Sequence, residues 1–326
     1  MKAILCDAYG PIANLRYADV PDPSPGPKEV VIRAEAIGVN YPDGLLVQGL
    51  YQAKPAVPFT PGMEAAGTIA AVGNDVSRFK PGDRVAALAQ LGAYAELVKA
   101  HQNSVMPVPG AIDAGAVTAL MCGYGTAHHA LKQRANLTPG ETLVVTGAAG
   151  LTGLAAVEIG KAKGAKVIAI ASSDAKRKTA IAHGADVAIG YENLKDALKE
   201  ATGGNGADVV FDVVGGDVFD ACARAMAWGG RLLVIGFTSG NIPQFPVNLA
   251  LVKGFSVVGV FWGSFTAREP KIYAENMAEL LGWYAAGQVK PLVEKTYPLA
   301  QAAEALQLIH DRKAIGKVVL VPGAAQ

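Results

Sequence analysis

The run Leu143-Val-Val-Thr-Gly147-Ala-Ala-Gly150-Leu-Thr-Gly153 leaves this chain few choices of fold. Leu143 to Thr146 are apolar or β-branched and read as a short buried strand. Three glycines at intervals of three follow, then a helical run from Leu154 to about Lys163, closed by Gly164. Strand, glycine turn and helix in that order open a βαβ unit that receives a pyrophosphate. Gly147 and Gly150 carry no Cβ where the backbone turns sharply and an anion approaches, and Gly153 lets the helix lie close on the strand. The segment Gly150, Leu151, Thr152, Gly153 offers unpaired amides and the positive end of the helix dipole. Such glycines also occur in ordinary loops. The Pro139-Gly140-Glu141 turn before them and the second strand, Lys166 to Ala171, after them favour nucleotide binding.

From about Asp113 onward the pattern alternates. An Ala-rich helical stretch, Ala114 to Leu131, is interrupted by Gly123 and Gly125. Strands are expected near 167–171, 186–189, 208–214, 231–237 and 255–261, and helices near 174–183, 194–202 and 218–226. Strands apolar throughout, such as Val209 to Val214, suit a parallel sheet covered on both faces. Right-handed crossovers then give an α/β, doubly wound sheet. The first third reads instead as short antiparallel strands (29–34, 65–72, 84–88, 93–98) between turns such as Lys80-Pro-Gly-Asp83. Two more helices, 272–285 and 300–310, and a strand, 317–321, make a tail too small to stand alone. It is expected to return and complete the first domain.

Composition narrows the function. The 326 residues suit two domains, and 51% hydrophobic with 17% charged residues describes a well-buried globule. A formal net charge of +1 provides no field to recruit nucleic acid or an anionic membrane. No apolar run reaches membrane-span length, and Met1-Lys-Ala-Ile-Leu-Cys-Asp turns polar too soon for a signal peptide, so a cytoplasmic location is expected. Cys6, Cys122 and Cys222 are scattered and odd in number, which indicates neither a disulfide framework nor structural zinc.

Several segments together resemble the medium-chain dehydrogenase/reductase superfamily: Gly38-Val-Asn40-Tyr-Pro-Asp43, Pro58-Phe-Thr-Pro-Gly62-Met-Glu64-Ala-Ala-Gly67, Phe79-Lys-Pro-Gly-Asp83-Arg-Val85, the glycine turn, and Ala314-Ile-Gly316-Lys317-Val-Val-Leu. The resemblance spans the chain in order and is closest to the zinc-free quinone oxidoreductase (ζ-crystallin-like) branch. Leu151 stands where that branch usually has glycine and Glu158 where it has glutamine. The resemblance implies a GroES-like (chaperonin-10-like) β-rich catalytic domain split around a Rossmann domain. The expected ranges are 1–122 catalytic, 123–264 nucleotide-binding and 265–326 catalytic again, in a homodimer.

Zinc-dependent relatives hold their catalytic metal with two Cys and a His. The matching positions look like Asn40, Met63 and Cys122. An amide, a thioether and one thiol are a poor donor set for Zn²⁺, so a metal-free site is expected and Cys122 reads as a small buried residue. His128 and His129 are adjacent on a helix, diverge, and read as exposed.

The end of the second strand selects the cofactor. NAD-type sites place a carboxylate there for the ribose. Here Ala171-Ser172-Ser173 end the strand and Lys176-Arg177 follow, which suits a phosphate dianion and hence NADPH. Asp174 is discordant and is read as the N-cap of the next helix. The resemblance implies Lys176 and Tyr191 as phosphate contacts, and Asn40, Thr126 and Lys317 around the nicotinamide. Gly236-Phe237 ends the fifth strand, and Phe261 and Trp262 end the sixth, where they could wall the pocket or simply pack.

These residues lead to an expected NADPH-dependent, metal-free reductase acting on a small molecule, a quinone first of all. An enoyl reductase working on activated alkenes or acyl thioesters is the alternative, and there Tyr51 would serve as proton donor. A non-catalytic nucleotide-binding or crystallin-like protein is the alternative of a different class.

Overall fold

The computed structural model describes residues 1–110 and 112–323, and in it the strand pattern of the first third becomes an antiparallel sheet. The elements in order are β1 (Lys2–Leu5), β2 (Arg16–Asp19), β3 (Glu29–Val39), α1 (Tyr41–Val47), β4 (Glu64–Val72), β5 (Arg84–Leu88), β6 (Leu97–His101), β7 (Val105–Pro107) and α2 (Ala114–Ala119). Eleven-residue β3 organises this part. One edge pairs with β4 over Val30–Ile37, while the other pairs with β6 over Glu29–Arg33. The expected strand at 93–98 is displaced: Ala93 to Glu96 bend past β1, and pairing begins only at Leu97. Strands β2 and β7 were not expected, being too short to show a period.

After α2 the helix continues to Arg134 through α3 (Gly125–His129), flanked by π-turns at Leu120–Tyr124 and Ala130–Arg134. The expected glycine interruptions are close contacts instead. A Cβ on Gly123 would lie 2.4 Å from Leu151 Cγ, and one on Gly125 would lie 2.8 Å from Trp262 Cζ2.

The alternating region follows as β8 (Thr142–Val145), α4 (Leu151–Ala162), β9 (Lys166–Ile170), α5 (Asp174–Ala182), β10 (Val187–Ile189), α6 (Leu194–Ala201), β11 (Ala207–Asp212), α7 (Gly216–Arg224), β12 (Met226–Val234), α8 (Asn248–Lys253), β13 (Ser256–Gly259), α9 (Trp262–Arg268) and α10 (Pro270–Ala285). The strands form one parallel sheet in the order β10-β9-β8-β11-β12-β13, with the order reversing between β8 and β11. Val144, Ile168, Val210 and Leu232 lie under Phe219 of α7 in a closed apolar layer. Each contributes about 1.5–3 kcal/mol by leaving water.

The chain ends with β14 (Val293–Pro298), α11 (Ala302–His310) and β15 (Lys317–Val321). β15 pairs antiparallel with Ile37–Val39 of β3, so the tail does complete the first sheet. Two compact units result: Met1–Met121 with Leu292–Gln326, and Cys122–Pro291. Residues 324–326, the end of the expected 265–326 return, and Ala111 lie outside the described residues.

The return therefore begins after α10, not at 265. The reason is local bonding of α10 to the long helix. Glu279 meets His128 Nε2 at 3.0 Å and Lys132 Nζ at 2.5 Å, and Gln133 donates to Asn276 at 2.9 Å. The same contacts correct the two histidines, which are buried and not exposed. His129 stacks on Phe265 with ring centroids 3.8 Å apart.

Candidate functional site

In the second unit the glycine turn is built by the ends of β8 and β11. Buried Thr146 donates to Asp212 Oδ1 at 2.6 Å and receives Val213 N–H at 3.0 Å. Asp212 also takes the amides of Val214 and Gly215. Burial raises its carboxyl pKa, although all of these donors oppose the shift. The chain then turns through Gly147 at φ +58, a conformation that favours glycine. Gly150 is the N-cap of α4 and has no side chain to close it. Leu154 N–H takes the first intrahelical acceptor, Gly150 O, at 2.8 Å, so the amides of Leu151, Thr152 and Gly153 precede the helical ladder. Amides in this position are what a helix N-terminus offers an anion.

Gly153 needs correction. Its absent Cβ would meet Gly147 O at 2.3 Å, so it closes the turn on itself and does not seat the helix on the strand. That role falls to Gly160, where a Cβ would lie 2.5 Å from Leu143 Cδ2.

At the end of β9, Ser172 and Ser173 are exposed and Lys176 is half-buried. Ser173, not Asp174, caps α5, accepting Lys176 N–H at 3.3 Å. Asp174 pairs with Arg177, whose guanidinium also donates to Ala171 O at 3.1 Å. The discordant carboxylate is thus compensated within its own helix. Half-buried Tyr191 accepts Gly147 N–H at 3.1 Å, which joins the phosphate turn to the loop after β10.

The remaining residues of this unit divide. Gly236 and Phe237 lie just past β12, and Phe237 packs at Gly215, where a Cβ would come within 2.9 Å of its ring. Trp262 is buried on Gly125 and edge-on to Tyr273, while Phe261 beside it is exposed. Trp262 is therefore a core residue. Thr126 is half-buried on α3, and Cys122 is half-buried too, more accessible than expected.

In the first unit, Asn40 caps α1 through a capping box with Asp43. Its side-chain Nδ2 donates to Glu64 Oε1 at 2.8 Å, and its Oδ1 accepts Lys317 Nζ at 3.1 Å. Lys317 and Glu64, both fully buried, form an ion pair at 2.5 Å. Asp43 Oδ2 accepts Asn40 N–H at 2.9 Å and the Tyr94 hydroxyl at 3.0 Å. Burial pushes the Asp43 carboxyl up to about 7, and burial followed by the Asp43 charge raises the Tyr94 phenol well above its usual value. Tyr51 is half-buried against the apolar cluster of this unit.

Comparison with known proteins agrees with this geometry. Residues 26–129 match the alcohol dehydrogenase GroES-like domain and residues 152–281 the zinc-binding dehydrogenase domain. Quinone oxidoreductase-like protein 2 of Rattus norvegicus is 39% identical over 298 residues, 90% of this chain and 85% of the relative. A quinone oxidoreductase of Pseudomonas aeruginosa is 36% identical over 326 residues, 98% of this chain and 99% of the relative. The chain belongs to the zinc-free quinone oxidoreductase branch of the medium-chain dehydrogenase/reductase superfamily. An Escherichia coli quinone oxidoreductase solved with NADPH superposes with a TM-score of 0.92 at 29% identity, covering 99% of this chain and 100% of that one.

Membership in this superfamily raises the matter of zinc, and the residues here do not fit it. A dication at Asn40 Oδ1 would sit beside the Lys317 ammonium, 3.1 Å from that oxygen. Met63 offers only a thioether, a weak acceptor. Glu64, Asp43 and Tyr94 went unread in the sequence. Their signal was a carboxylate opening an otherwise apolar strand, Glu64-Ala-Ala-Gly-Thr-Ile, with a lysine at the head of the last strand to match it.

Proposed function

We propose that this oxidoreductase reduces a quinone with NADPH. The observation that supports it best is the arrangement after β9: two exposed serines, a half-buried lysine, and an aspartate already compensated by Arg177. Such a site accepts a 2′-phosphate and offers no free carboxylate to repel it. NADPH, when bound, supplies the hydride. The amides of Leu151, Thr152 and Gly153 hold the pyrophosphate, Tyr191 fixes their turn through Gly147, and Ser172, Ser173 and Lys176 hold the adenosine end. Asn40 presents a neutral hydrogen-bond donor near the reacting carbonyl, and a quinone needs little more, because the product oxyanion is delocalised over its ring.

An enoyl reductase must also protonate carbon, which is where the Tyr51 phenol would enter. NADPH oxidation measured across quinones, enones and crotonyl thioesters tests the reading. The expected result is the highest kcat/KM with a quinone. Preference for the thioester would overturn it, and no turnover with any acceptor would make the chain a binding protein.

The reading includes a second copy of the chain. β13 ends the parallel sheet, and Trp228, Leu251 and Val252 nearby are 82%, 82% and 73% exposed. Edge pairing with an identical β13 would cover both the open backbone and this apolar surface. Sedimentation should show a dimer that Trp228→Glu dissociates. Among the described residues no helix is long and apolar enough to cross a membrane, and the cysteines are free thiols, which suits a reducing cytoplasm.

A further inference from the structure

The buried group around Asn40 is more specific than an ion pair requires. Lys317 Nζ lies 3.3 Å from Val39 O, 3.1 Å from Asn40 Oδ1 and 2.5 Å from Glu64 Oε1. An ammonium has three protons, and these three acceptors use them all. Lys317 therefore has no donor left for a cofactor, which revises its expected place at the nicotinamide. The Asn40 carboxamide is held by both ends, its oxygen by the cation and its nitrogen by the carboxylate. Rotating the amide by half a turn would set N–H groups against the ammonium and a carbonyl against Glu64, so only one orientation is stable. Two glycines make room for this arrangement. A Cβ on Gly38 would meet Glu64 Oε1 at 2.1 Å, and one on Gly62 would meet Tyr94 Cδ1 at 2.2 Å.

We propose that Glu64 and Lys317 are positioning residues. They lock the Asn40 amide so that the N–H not given to Glu64 is the group offered to the substrate carbonyl. This rests on the reading of Asn40 given above. A buried ion pair stabilises a fold no better than a well-packed apolar pair, so stability alone is a poor reason for two fully buried charges. Orienting a neutral amide is a better one. An unoriented amide would present donor and acceptor in turn, and half of those encounters would repel the developing oxyanion.

A double-mutant cycle tests the proposal, with kcat/KM for the quinone and KM for NADPH as readouts. Asn40→Ala should lower kcat/KM by about 10- to 100-fold, as for loss of one hydrogen bond to a charged group. Glu64→Leu, which removes the acceptor, should cost nearly as much while leaving the KM for NADPH within about threefold, and should cost nothing further in the Asn40→Ala background. Losses that multiply would show that Glu64 acts independently of Asn40 and would overturn the proposal. So would a Glu64→Leu enzyme of wild-type rate beside a slow Asn40→Ala. A wild-type rate in folded Asn40→Ala would instead remove the reading of Asn40 itself, and this proposal with it. If Glu64→Leu leaves Lys317 uncompensated and unfolds the chain, the neutral pair Glu64→Leu/Lys317→Met replaces it. That variant should fold and be as slow as Asn40→Ala, and a wild-type rate would again overturn the proposal.

Discussion

Leu151 rests its side chain on Gly123, with the position of a Cβ only 2.4 Å from Leu151 Cγ. The first residue of the phosphate-binding helix thus abuts the π-turn of the long helix, and each residue fits because of the other. Gly123→Ala should destabilise the protein by about 1–3 kcal/mol through overpacking. The second change Leu151→Gly should recover most of that loss. Thermal unfolding of the two single variants and the double variant checks it, and purely additive losses would refute the pairing.

The adenosine end makes a second prediction. A charge-assisted contact from Lys176 to a 2′-phosphate is worth about 1.5–3 kcal/mol, so preference for NADPH over NADH should exceed roughly tenfold. Lys176→Ala should remove most of it by raising the KM for NADPH and leaving that for NADH unchanged. Equal affinities in the unaltered enzyme would defeat this prediction.

Tyr191→Phe removes the acceptor of the Gly147 N–H at the phosphate turn. A neutral hydrogen bond contributes about 0.5–1.5 kcal/mol, so NADPH and NADH should both bind roughly 2- to 10-fold more weakly. Titration with both cofactors separates this from a 2′-phosphate contact. A loss confined to NADPH would show that Tyr191 acts on the phosphate and not through the turn.

Stability should depend on pH through Asp43. Its folded carboxyl titrates near 7 and its ordinary value is 3.8, so the folded protein keeps a proton that the unfolded chain has lost between them. The stabilising term is complete below the ordinary value and disappears as pH rises through about 7. Asp43→Asn lacks the term, so its melting temperature should gain on the wild type between about pH 5 and about pH 8. A variant that loses ground over that range would reverse the sign and the assignment.

Tyr51→Phe distinguishes the two chemistries. Quinone reduction should change by less than about tenfold, while any enoyl activity should fall by about 10²-fold or more with loss of its proton donor. Measuring both on one preparation settles the role of the phenol.

The nucleotide unit was the legible part of the sequence, because its cues are local. Glycines at fixed spacing and β-strands apolar throughout need no distant partner to be recognised, and Gly147 and Gly150 stand where such cues put them. The other unit resisted reading where the deciding contact is remote in the chain. Nothing within ten residues of Asn40 announces that its amide is held by Lys317, and the burial of His128 depends on Glu279 of α10. The boundary of the returning segment failed for the same reason: α10 has an ordinary amphipathic pattern, and only its partners show which unit it joins. Leu151 was visible as an unusual residue, but its explanation lay in Gly123, on another helix.

Strand β15 pairs with β3 and carries Lys317 to Glu64, so the two ends of the chain meet in one sheet. A ribosome delivers these partners in a fixed order. Asn40 and Glu64 emerge before the whole parallel sheet, and Lys317 emerges after it. The nucleotide unit has all its strands before Lys317 emerges and can fold first. Until β15 emerges, Glu64 lacks the Lys317 cation and β3 lacks its partner over Ile37–Val39. The sheet around Asn40 is therefore closed only once β15 has emerged, and a product truncated before Lys317 has no means of closing it.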